Sequence, residues 1–247
     1  MKECAILVKD LKIRYRGTER YSIKKNLLRG KKMENPYFEA VRGISFSVAK
    51  GEILGIIGKN GCGKSTMLRA IAGIYSPDEG YIETFDNKVS LMAIGVGFQP
   101  QLTGRENIYL SGSLLGLKEA EMEKYVDQII EFSELGAFID RPVRTYSSGM
   151  HSKLAFSITS ALEPDIMLLD EVLSVGDAGF KSKSLARMKE LIAKKDRTVV
   201  IVSHSISTLI ELCDTVMWMH EGKIVKIGDP REVLKQYKRF MKNQGGA

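Results

Sequence analysis

Residues 58–66 read GKNGCGKST, and no other stretch restricts the chain as tightly. They satisfy G-x-x-x-x-G-K-[ST] with Gly58, Gly63, Lys64 and Ser65, behind the apolar run Ile53 to Ile57 and ahead of the helix-forming run Met67 to Ala72. Strand, glycine loop and helix in that order make a phosphate cradle. Gly58, Gly61 and Gly63, with Asn60 and Thr66 completing the loop, let backbone N–H groups curl around phosphate oxygens, and the following helix presents its positive end. Lys64 is placed to reach β- and γ-phosphates, and the Ser65 hydroxyl to ligate Mg²⁺. Cys62 reads as an incidental small residue of the loop.

The surrounding pattern is α/β. Strands are expected over Ile6 to Tyr15, Ile44 to Val48 and Glu52 to Ile57, and again over Ile166 to Leu169 and Thr198 to Val202. The last two are short, wholly apolar runs, as in parallel strands buried on both faces. Ahead of these two the grammar changes: Glu106 to Leu115, Ala120 to Leu135 and Gly149 to Leu162 read as helices, punctuated by Pro142 and the run Ser147, Ser148, Gly149. This predicts one nucleotide-binding domain over residues 1–247. Its ATPase core would comprise 1–97 and 163–230, with a helical subdomain inserted at 98–162. A basic insertion would span 16–37 and a C-terminal helix 231–247, the latter from the helical spacing of Val233, Leu234, Tyr237, Phe240 and Met241.

Ligands to such a sheet sit beyond the carboxyl ends of its strands. Ile166 to Leu169 run into Asp170 and Glu171, two carboxylates whose charge is costly to bury unpaired. A metal resolves that cost, with Asp170 holding Mg²⁺ directly or through water and Glu171 polarising the attacking water as general base. A further strand ends at Ser203 and His204, where the imidazole can hydrogen-bond a γ-phosphate.

Lys and Arg number 37 against 30 Asp and Glu, yet the excess is local. Leu11 to Asn35 contains nine basic and two acidic residues, a net +7 that accounts for the whole chain. A neutral body with one cationic segment points to a local anionic surface. Ile23 and Leu27 fall opposite Lys25 and Arg29 on a helical wheel, giving a short basic amphipathic helix that faces a membrane or partner, or else a solvated helix resting on the domain. The composition, 44% hydrophobic and 27% charged, excludes disordered and disulfide-scaffold classes. Three scattered cysteines fit a reducing compartment, and no apolar run approaches the ~20 residues of a bilayer span.

Tyr146, Ser147, Ser148, Gly149 and Met150 are similar to the LSGGQ signature of ATP-binding cassette (ABC) transporters, and with GKNGCGKST and Asp170-Glu171 they make the chain resemble the nucleotide-binding subunit of that family over nearly its whole length. The resemblance implies an ATPase fold of mixed and parallel sheet with an inserted helical subdomain. It implies ATP and Mg²⁺ as ligands, and a head-to-tail dimer in which Ser147, Ser148 and Gly149 of one copy close over the nucleotide of the other. It also makes Gln99 the Q-loop glutamine, which touches Mg²⁺ and the membrane partner. Ser174 to Asp177 become the D-loop, His204 the switch histidine, and Tyr15, ahead of Phe38, the aromatic that stacks on adenine.

YSSGM in place of LSGGQ, DEVLSVGDAGF in place of DEPTSALD, and LTGREN soon after Gln99 resemble cassettes that export bacterial surface polymers. YFEAVRGISF, RPVRTYSSGM and CDTVMWMHEGK look closest to the ATPases of wall teichoic acid exporters. That resemblance implies two copies at the cytoplasmic face of the plasma membrane, attached to two copies of a polytopic permease that carries a lipid-linked polymer. The basic insertion would lie at the membrane surface, with no nucleic acid expected. The rival is a nucleic-acid or ribosome-associated ABC ATPase, with the basic segment on phosphates.

Overall fold

A computed structural model describes residues 3–16, 37–92, 98–114, 116–162, 164–170, 177–193 and 197–244. The basic segment, most of 16–37, and Glu171 lie outside them.

Two sheets organise the chain. β1 (Cys4–Arg16) pairs antiparallel with β2 (Tyr37–Ala49) and with β4 (Glu79–Glu83). The second sheet runs β5 (Val89–Met92), β6 (Ile166–Asp170), β7 (Thr198–Val202), β3 (Ile53–Ile57), β8 (Thr215–His220) and β9 (Lys223–Gly228). Its first five strands are parallel and β9 returns antiparallel to β8. The mixed and parallel sheet expected from sequence is therefore present. The N-terminal strands are longer than expected, because β2 continues β1's hairpin ladder from Ala49 back to Tyr37.

The central strands are apolar throughout because both faces are covered. Leu54, Ile56, Leu168 and Val200 turn toward β1, β2 and helix α1 (Lys64–Ile71), meeting Val8, Leu11, Met67 and Leu68. Ile53, Ile57, Met167, Leu169 and Val199 turn to the opposite face, against Phe156, Phe180, Leu209 and Trp218. Each large side chain buried this way is worth about 1.5–3 kcal/mol relative to exposure.

The helices α2 (Gly104–Leu114), α3 (Glu119–Ser133) and α4 (Ser148–Leu162) carry their own core of Ile108, Met122, Ile129, Leu154 and Ile158. α5 (Ala178–Ala193) and α6 (Ile206–Leu212) flank the second sheet, and α7 (Pro230–Gln244) closes the described chain. α7 buries Val233, Leu234 and Tyr237. Among the described residues no helix is long and apolar enough to cross a membrane.

A candidate nucleotide site at the carboxyl edge of the sheet

Asp170 stands in register with Val202, and Val202 with Ile56. The phosphate loop and His204 therefore leave the sheet at one level, on adjacent parallel strands, with Asp170 on the next strand over. This convergence follows from the β6-β7-β3 order, which the sequence does not state.

The loop itself is held from below. Gly63 caps α1 at φ 101, a left-handed conformation that an L side chain adopts only with strain. A Cβ there would also collide with the Ala40 carbonyl of β2. Gly222, in the turn between β8 and β9, donates its N–H to the Cys62 carbonyl at 3.1 Å and accepts from the Arg42 N–H at 2.8 Å. Gly61 (φ 77) has nothing within 4 Å of the position a Cβ would take, so the tip of the loop is open. Lys64 is 5% exposed and donates to the carbonyls of Gly58 and Lys59 at 2.9 and 3.0 Å. Its charge is thus held at the loop's centre by groups that can be exchanged for phosphate oxygens. Ser65 and Thr66 are half-buried, Asn60 is exposed, and burial pushes the Cys62 thiol up.

Tyr15 reaches the same place from β1. Its hydroxyl lies 3.1 Å from the Thr66 hydroxyl, and its ring meets Tyr75 edge to face at 6.0 Å. Phe38, directly across the ladder from Tyr15, is 55% exposed.

The remaining expected residues sit on the helical subdomain and α5. Ser147 Oγ accepts from the Met150 N–H at 3.2 Å, capping α4, and Ser147 and Ser148 are exposed. Among the described residues no hydrogen bond joins Ser147, Ser148 or Gly149 to the phosphate loop of the same chain. Next to them His151, packed on Phe98 and Tyr146, is held below its ordinary pKa by burial. Asp177 caps α5, accepting from the Phe180 N–H at 2.9 Å, and pairs with Lys153 of α4.

Gln99 is exposed, but its backbone is fixed by a residue that sequence reasoning missed. Asn107, fully buried, accepts from the Gln99 N–H at 2.8 Å and donates to the carbonyls of Gln99, Leu102 and Thr103. Thr103 and Glu106 form a capping box for α2, with bonds of 2.7 and 3.1 Å. That box, the T-x-x-E of LTGREN, was the available signal. The segment is stitched in turn to the signature's approach by Val143 N–H to the Leu102 carbonyl and Arg144 N–H to the Pro100 carbonyl, both 2.9 Å.

A family model for ABC transporters matches residues 41–174, from β2 past the end of β6. The chain belongs to the ABC transporter family. It is an ABC ATPase and binds ATP. It is 46% identical over 215 residues to an O-antigen export system ATP-binding protein of Klebsiella pneumoniae, covering 87% of this chain and 85% of that one. It is 47% identical over 208 residues to a teichoic acids export ATP-binding protein of Enterococcus faecalis, covering 83% of this chain and 46% of that one. The ABC ATPase thus spans less than half the length of the teichoic acid relative. A solved ATP-binding cassette, crystallised as a dimer with ADP and Pi, matches its fold with a TM-score of 0.73 at 22% identity, over 92% of this chain and 99% of that one.

Proposed function

We propose that this ATPase powers export of a lipid-linked cell-surface polysaccharide, of teichoic acid or O-antigen type, across the cytoplasmic membrane. The observation that carries this reading is its 46% and 47% identity, over more than four-fifths of its length, to export ATPases for those two polymers. Two copies would act head to tail on two copies of a polytopic permease, peripheral to the membrane's cytoplasmic face. The basic segment around Lys24 and Lys25 would meet the anionic membrane surface, and the nucleic-acid reading has no such support.

Within one copy, Lys64 would exchange its two loop carbonyls for β- and γ-phosphate oxygens, while Gly61, Gly63 and the start of α1 offer N–H donors. Tyr15 would stack on adenine. Ser65 and Asp170 would hold Mg²⁺, which neutralises phosphate charge when bound; Mg²⁺ keeps most ligands as water and phosphate oxygen, so one hydroxyl and one carboxylate suit it. Gln99, which is exposed, would approach the same ion. Glu171 would take a proton from the attacking water, and His204 would hold the γ-phosphate. Ser147, Ser148 and Gly149 of the second copy would complete the site, and the exposure of Ser147 and Ser148 leaves them available. Asp177 would contribute by fixing the start of α5.

Capture of tagged Glu171→Gln with ATP and Mg²⁺ from detergent-solubilised source cells tests the proposal. A polytopic membrane protein in equal amount is expected. Ribosomes or nucleic acid without a membrane protein would overturn it.

A further inference from the structure

Nucleotide chemistry leaves the outer face of α7 unused. The inner face is spent: Val233, Leu234 and Tyr237 are buried, and the Phe240 and Tyr237 rings pack on Trp218 at 5.0 and 5.8 Å. The outer face carries Arg231, Lys235 and Arg239 at four-residue spacing, with Lys238 and Lys242 beside them, all exposed. Among the described residues none of these five has a carboxylate within ion-pair distance, and the helix's one acid, Glu232, faces Lys226 at 3.6 Å. Like charges four apart on a helix repel, so the row is a standing electrostatic cost without an anionic neighbour.

The row is also the wall of a groove. Between α6 and α7 lies a cavity of about 300 Å³, floored by Ile206, Ile210 and Leu234 and walled by the five cations. Ile210 is 39% exposed although it follows the apolar spacing of Ile206. An apolar slot beside a one-sign rail selects a ligand with both characters.

We propose that this groove receives an acidic amphipathic helix of a partner protein, its apolar side chains in the slot and its carboxylates along α7. The cations recur every three or four residues, the repeat of acids on one face of a helix, and a groove of this kind reads anchors at that spacing. A flat anionic membrane would meet the cations but could not fill a recess between two helices, and α7 has no apolar face left to insert. A nucleic-acid backbone would likewise leave the isoleucines uncovered.

The test is fluorescence anisotropy of the full chain with a labelled helical peptide bearing leucines on one face and flanking glutamates. The control has the same composition with its leucines scattered. Saturable binding of the first peptide is expected, weakened about tenfold or more by Lys235→Glu with Arg239→Glu and likewise by Ile210→Ser. These exposed substitutions should leave the melting temperature and basal ATPase activity unchanged, and the scattered peptide should bind about tenfold more weakly. Absence of saturable binding, equal binding of the scattered peptide, or indifference to Ile210→Ser would overturn the proposal. So would binding of phosphatidylglycerol vesicles or duplex DNA that is tighter than that of the peptide and is lost with Lys235→Glu and Arg239→Glu, which separates it from vesicle binding through Lys24 and Lys25.

Discussion

The Lys153 ammonium lies 2.8 Å from the Asp177 carboxylate, tying the helix that opens on the signature to the first turn of α5. Glu134, at the end of α3, joins the pair through Lys153 at 3.2 Å and Lys183 at 2.9 Å. Three helices thus meet through charges at the subdomain's junction with the second sheet's flank. The Lys153 hydrogen bond, followed by the Phe180 N–H, brings the Asp177 carboxyl down to about 2. A carboxyl depressed in the folded state contributes stability that is complete above its ordinary pKa near 3.8 and is lost as pH falls through about 2. We expect Lys153→Met to raise the Asp177 pKa toward, though not to, that ordinary value, because the Phe180 N–H remains. Carboxyl-carbon NMR titration reads the shift directly; an unmoved pKa would show that the ion pair does not form in solution.

Tyr15 is 36% exposed and meets the phosphate loop through its hydroxyl contact with Thr66. An aromatic ring stacked on a base is worth about 1–3 kcal/mol. Tyr15→Ala should therefore weaken ATP binding roughly five- to 150-fold in a titration, whereas Tyr15→Phe, which keeps the ring and loses only the hydroxyl contact, should bind nearly as tightly as the parent. If Phe38→Ala gave the larger loss, the ring across the ladder would be the stacking one.

Legibility in the sequence tracks how local the cause is. GKNGCGKST could be read because loop, cap and helix are contiguous. β3, β6 and β7 could be read because burial on both faces leaves them wholly apolar. β4 went unread, since EGYIE is mostly exposed and its place comes from pairing with Leu7 to Lys9, not from its own pattern. β5 is too short to show a period, and β8 and β9 are fixed by a hairpin whose turn, Glu221-Gly222, sits under the phosphate loop. The pair Lys153 and Asp177 spans two helices that sequence spacing does not bring together. Glu171, Ser174 and the basic segment lie outside the described residues, so their reading still rests on motif.

Asn107 makes a sharper test of the Q-loop than Gln99. Its amide satisfies one N–H and three carbonyls at a fully buried position. Asn107→Ala takes the acceptor from the Gln99 N–H and the side-chain donor from three carbonyls that keep their backbone N–H partners, a loss of about 1–3 kcal/mol. Denaturant unfolding should show it as a lower midpoint at unchanged slope. Turnover stimulated by the permease should fall further than basal turnover, because the Gln99 backbone is released while Lys64 is untouched. Equal falls in both would reduce Asn107 to a purely structural residue.

Lys64→Ala and Glu171→Gln test the proposed division between binding and chemistry. Removing the ammonium in Lys64→Ala takes away the proposed charge partner of the phosphates and also a donor to the Gly58 and Lys59 carbonyls, so ATP affinity should drop and the unliganded loop should loosen together. Glu171→Gln preserves shape and hydrogen-bonding reach but lacks a base. Loss of general-base catalysis costs about 10²- to 10⁴-fold in rate, with ATP affinity near that of the parent. The order of effects is therefore opposite in the two variants, binding first for Lys64→Ala and turnover alone for Glu171→Gln. Paired measurement of ATP dissociation constant and single-turnover hydrolysis distinguishes them. Normal hydrolysis by Glu171→Gln would move the base to another residue, with His204, on the adjacent strand's exit, the next to substitute.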